Sequence, residues 1–167
     1  MVTISAARAP QSPWPFLLHV VAGHESAAAK VVHGGGLAGD RDLLMHYAVC
    51  REAGWPAAGP PARELIGLIP RAMILGYLAD EMDWGMANAP EAYTVLNACR
   101  AMIFLTDDAI VSKIAGGETA LARGTGPASV IRRALGQQRG ELADQPPADD
   151  AIGYVLTAAA ALRRAIS

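Results

Sequence analysis

Four histidines, at positions 19, 24, 33 and 46, are the side chains whose charge changes near neutral pH. His46 follows Asp42 at helical spacing, so the two share a face if the segment is a helix. A histidine beside a carboxylate is a minimal general acid/base pair. His24 and His46, with Asp42 or Glu91 as partner, are therefore the candidate catalytic residues, and each has a structural role as its ordinary alternative. Neither His-x-x-x-His nor Cys-His spacing supports a metal site, and no cofactor is implied. A second constellation sits in apolar surroundings. Asn97 and Arg100 lie three apart inside the run YTVLNACRAMIFL, where an arginine is costly unless a carboxylate or carbonyl answers it; Glu118 is the expected answer. Tyr77, Trp84, Arg100, Lys113 and Glu118 are the candidate ligand-binding residues, with packing the alternative for the aromatics.

These groups must be held by helices. Glu91 to Leu105 carries apolar residues over most of its circumference and reads as a buried central helix, stopped by Thr106, Asp107 and Asp108. A short polar connection holding Ser112, Lys113, Gly116, Gly117 and Glu118 follows. Pro70 opens a helix to about Asn88 whose Met73, Ile74, Tyr77, Leu78, Met82 and Met86 face the central one. Further helices are expected at 41–53, capped by Asp40 and ended by Gly54, at 62–66, at 128–139 and at 148–166. Upstream, residues 1–13 read as a frayed terminus, 14–22 as a strand, and 26–32 as a short helix capped by Ser26; the glycines after His33 read as a flexible joint. The expectation is an all-α bundle of five to six helices (37–167) behind an N-terminal arm (1–36) with one strand. That strand must pair with a second copy, lie on the helices, or pair within residues 1–13, which makes a homodimer an expected partner state.

Three motifs carry a resemblance. YTVLNACRAM, then SK, then GGETAL, preceded by AGDRDLLMHYAVCREAGWPAAGPPARELIGLIPR, resemble the C-terminal helical domain of the streptomycin/spectinomycin adenylyltransferases over residues 37–140. The resemblance implies that Lys113 matches a lysine contacting nucleotide phosphates, that Asp42 matches an acid near the nucleotide, and that Glu118 matches the glutamate of GGEWAL, with Thr119 in place of the tryptophan. Departures are as informative. The family's drug-contacting acid falls at Pro90 beside Glu91, its drug-stacking aromatic near His24, and a tyrosine at about Gln138; Ala72 to Leu75 are apolar where the family is polar. Nothing before Asp40 offers the Gly-Ser turn and Asp-x-Asp pair of a nucleotidyltransferase domain. The functional expectation is a stand-alone small-molecule-binding domain without nucleotidyl transfer, binding or tailoring a less polar metabolite between the helices starting at Pro70 and Glu91. Two alternatives stand beside it: an adenylyltransferase half working with a separate nucleotidyltransferase partner, and a non-enzymatic binding dimer.

Composition narrows the classes. With 14 basic and 16 acidic residues and a net charge of -2, the chain lacks an electrostatic footprint for nucleic acid. Cys50 and Cys99 read as buried free thiols, which suits a cytoplasmic location. No apolar run is long enough for a membrane span, and prolines interrupt the start where a signal peptide would be continuous.

Overall fold

A helix with almost no polar face has to be wrapped by others, and this one is. In the computed structural model, which describes residues 1–21, 29–34 and 39–167, the chain divides into two compact units, Met1–Pro70 and Arg71–Ser167. Among the described residues there are eight helices and one two-stranded sheet.

The second unit is built around α5 (Glu91–Asp107), which packs against α4 (Arg71–Asn88), α6 (Lys113–Arg123), α7 (Ala128–Gln138) and α8 (Asp149–Arg164). Val95, Leu96, Ala98, Cys99 and Ala101 have no exposed surface, so the apolar circumference read from the sequence is a core. Burying Leu96, Ile131 and Leu162 from different helices contributes about 1.5–3 kcal/mol each. Asp108, in the left-handed region at φ 55°, ends α5 with its N–H on the Phe104 carbonyl. On α4 the core face is Ile74, Leu75, Leu78, Ala79 and Met82, whereas Met73 is exposed. Arg163 of α8 forms an ion pair with Asp83 of α4.

The polar connection expected at 112–118 is instead the start of α6. Ser112 caps it, its Oγ accepting from the Ala115 N–H at 3.1 Å. Gly116 and Gly117 are buried in the helix: a Cβ on the first would meet Arg100 Cγ at 2.8 Å, and on the second Leu96 Cδ2 at 2.8 Å. The glycines are there for close approach of α6 to α5, which outweighs their low helix propensity.

In the first unit, α1 (Ile4–Arg8) forms where a frayed terminus was expected, capped by the Thr3 hydroxyl accepting from the Ala6 N–H. The expected strand is the shorter β1 (Leu18–Val21), and it pairs antiparallel with β2 (Lys30–His33), Leu18 opposite His33. Residues 30–32, read as the end of a short helix, are strand because Val31 and Val32 are β-branched and find a partner edge in β1. The N-terminus adds to this sheet: the Leu17 and Leu18 N–H groups donate to the Met1 carbonyl, and the Met1 ammonium donates to the Leu18 carbonyl. Next come α2 (Leu43–Ala53) and the single turn α3 (Ala62–Leu65). Arg51 of α2 holds that turn by donating to the carbonyls of Arg63 (2.7 Å) and Ile66 (2.5 Å). One burial expectation fails here: Cys50 is exposed, because α2 buries only Leu44, Tyr47 and Ala48. Among the described residues no helix is long and apolar enough to cross a membrane.

Candidate functional site

Two helical stripes meet beside the start of α6. Tyr77, Glu81 and Trp84 stand at helical spacing on α4, and Tyr93, Asn97 and Arg100 at the same spacing on α5. The Tyr93 hydroxyl donates to the Glu81 carboxylate, and the Trp84 ring meets the Tyr93 ring edge to face at 5.9 Å. The Lys113 ammonium stands over the Tyr93 ring, 3.9 Å from the centroid, a cation–π contact. Arg100 donates from Nη1 to Asn97 Oδ1 at 3.2 Å, while its Nε is buried without a hydrogen-bond partner among the described residues. Glu118, the expected partner, is elsewhere: it is exposed and pairs with Arg139 at 2.6 Å. The reason is positional, since Gly116 and Gly117 are the residues of α6 that face α5, and Glu118 lies past that face.

The charges in this cluster do not balance. Arg100 and Lys113 contribute two cations, and Glu81 is the carboxylate that both feel. Burial pushes the Lys113 ammonium below the ordinary lysine range, the nearby Arg100 charge pushes the same way, and Glu81 offsets only part of it. Burial likewise lowers Arg100. An anion entering here would relieve both, and the half-exposed Trp84 ring offers a face for a flat group. Among the described residues no group of histidine, cysteine and carboxylate ligands is placed to hold a metal.

Glu91 has a different fate. Its side chain has no exposed surface; Oε1 accepts from Arg133 Nε at 2.5 Å, and Oε2 from Arg133 Nη2 at 3.1 Å and the Ala148 N–H at 3.0 Å. Arg133 reaches on to Asp150 at 2.8 Å, so one carboxylate ties α5, α7 and the entry to α8. Burial alone would raise the Glu91 pKa, but the Arg133 and Ala148 hydrogen bonds prevail and hold it below the ordinary value. It has no free surface to offer a substrate.

Of the remaining expected residues, Asp42 and His46 belong to the first unit, where both line one cavity and the His46 N–H donates to the Asp42 carbonyl at 3.1 Å. His24 lies outside the described residues. Glu81 and Tyr93 were missed as site residues, although the stripe Tyr77, Glu81, Trp84 could have been read from its spacing alone.

A model of the aminoglycoside adenylyltransferase C-terminal domain matches residues 64–161. The chain belongs to that family. The matched stretch contains the whole Tyr77–Lys113 cluster together with Glu91, Arg133 and Glu118, whereas Asp42 and His46 precede it. No curated protein matches the chain.

Proposed function

We propose that the second unit is a small-molecule-binding domain that anchors a phosphate-type anion on Lys113 and Arg100 and lays a flat part of the ligand against Trp84 and Tyr93. The observation that carries this reading is the cationic excess: a buried Arg100 Nε with no acceptor, beside a Lys113 ammonium with no carboxylate in salt-bridge range among the described residues. Membership of the adenylyltransferase C-terminal family supports a nucleotide as the ligand, since Lys113 stands where the resemblance implies a phosphate-contacting lysine. The ligand is thus more polar than the run Ala72 to Leu75 suggests, because Ile74 and Leu75 of that run are core residues of α4. A second reading follows from the same family: the domain supplies the phosphate-facing half of a nucleotidyl-transferring enzyme. Acid/base tailoring through Glu91 is disfavoured by its complete burial against Arg133.

Thermal denaturation of the full chain with ATP, inorganic pyrophosphate or adenosine tests the reading. ATP and pyrophosphate should raise the transition temperature, adenosine should not, and Lys113→Ala should weaken the anions about ten- to hundredfold. Stabilisation by adenosine with none by pyrophosphate would overturn it.

A further inference from the structure

Lys113 is placed where a positive charge is least welcome. It is the first residue of α6, directly after the Ser112 cap, and the first turn of that helix carries no acidic residue. The free N–H groups of a helix start disfavour a cation there. A second cation stands close by. In the same first turn, a Cβ on Gly116 would lie 2.8 Å from Arg100 Cγ, so the Arg100 stem crosses the start of α6. Two groups act the other way: the Tyr93 ring on α5, under the ammonium, and the Glu81 carboxylate on α4. Glu81, however, is already engaged by the Tyr93 hydroxyl. Burial and the Arg100 charge therefore prevail, and the ammonium gives up its proton more easily than an ordinary lysine does.

The amine is also within reach. Lys113 is half-buried, and its Nζ, which forms no hydrogen bond among the described residues, is not closed off from solvent. A lysine that is partly desolvated and set beside another cation holds a free electron pair nearer neutral pH, which is the condition for attack on a carbonyl.

We propose that Lys113 is a covalent amine that condenses with the aldehyde of a flat ligand whose phosphate is held by Arg100. The Nζ electron pair adds to the carbonyl carbon, the carbonyl oxygen takes up the two amine protons and leaves as water, and a carbon–nitrogen double bond remains. No electrons are gained or lost, so the step needs neither an oxidant nor a reductant. The phosphate of that ligand rests on the anion-binding reading, whereas the reactivity of the amine rests on the position of Lys113 alone.

Sodium cyanoborohydride reduces the imine to a stable amine, so the step can be counted by mass spectrometry of peptides from the full chain. Lys30 is the other lysine and lies exposed in β2, which makes it an internal standard. The reagents are 4-formylphenyl phosphate and, without the anion, 4-methoxybenzaldehyde. Both should label Lys113 at least about fivefold faster than Lys30 at neutral pH. The phosphate should add a further factor of about ten at Lys113 and none at Lys30, and pyrophosphate should remove that factor. With rising pH the Lys113 rate should level off below 10.5, the ordinary lysine value. Lys113→Arg, which keeps a cation, should lose the label and still bind pyrophosphate. Equal labelling of Lys30 and Lys113 by 4-methoxybenzaldehyde, while pyrophosphate binds, would overturn the reactive amine and leave the anion site standing. Preferential labelling of Lys113 with no advantage from the phosphate would uphold the amine and overturn the anion-binding reading. The comparison of the two lysines within the wild-type chain decides the matter even where Lys113→Arg does not fold.

Discussion

Two arginines of the second unit have opposite surroundings. Arg133 meets Glu91 through two nitrogens and Asp150 through a third contact, and it is held firmly protonated. Arg100 has an asparagine oxygen, a tyrosine-bound Glu81 at a distance, and an Nε without a hydrogen-bond partner among the described residues. The first arrangement is closed and satisfied, which is what a structural ion pair requires. The second is left open on the cationic side. The difference teaches that burial of a charge does not mark a site; burial without a matching partner does.

The largest effect should come from breaking the closed pair. Glu91→Ala leaves Arg133 with Asp150 alone, takes the acceptor from the Ala148 N–H and empties a fully buried position, and should cost about 2–4 kcal/mol in denaturant unfolding. The pH dependence follows the same pair. The folded pKa of Glu91 is depressed, so its contribution is present above the unfolded value of about 4.3 and is lost as pH falls through the folded one. Glu91→Gln should flatten that acid limb. Next in size, Gly116→Ala forces a Cβ to within 2.8 Å of Arg100 Cγ and 3.2 Å of its backbone N. Overpacking of that kind costs about 1–3 kcal/mol, and by shifting α6 it should weaken pyrophosphate binding as well.

At Lys113 the expected effect moves from stability to ligand. Lys113→Ala should leave the melting temperature within a few degrees of wild type, because a partly buried cation outside salt-bridge range of any carboxylate among the described residues is removed, while anion affinity drops. In the wild type that affinity should fall as pH rises through the lowered Lys113 pKa, earlier than an ordinary lysine with its value of 10.5 would allow. The smallest effect belongs to Glu118. Glu118→Ala breaks an exposed pair with Arg139 and should change stability by less than about 1 kcal/mol and anion binding not at all, as urea unfolding and calorimetry can check.

The same contrast explains what the sequence could disclose. The unbroken apolar circumference of α5 announced a core helix, an arginine inside that run drew attention to Arg100, and the family motif drew it to Lys113. Pairing was hidden, because it depends on residues far apart: Glu91 finds Arg133 forty-two positions on, and Glu118 turns to Arg139. The start of α6 was misread because two adjacent glycines suggest a loop by propensity, and only the closeness of Arg100 and Leu96 shows why a helix needs them. Likewise β2 was invisible as a strand until β1 stood beside it, since a four-residue segment carries too little periodicity to decide.

The central claim is that charge imbalance around Arg100 makes an anion site, and calorimetric titration of inorganic pyrophosphate into two charge-deletion variants tests it most directly. Lys113→Met, which keeps the stem and removes the cation, should weaken binding about tenfold or more, and Glu81→Gln, which removes the carboxylate and keeps an acceptor for Tyr93, should strengthen it. Equal affinity in wild type and Lys113→Met, or weaker binding in Glu81→Gln, would contradict the account.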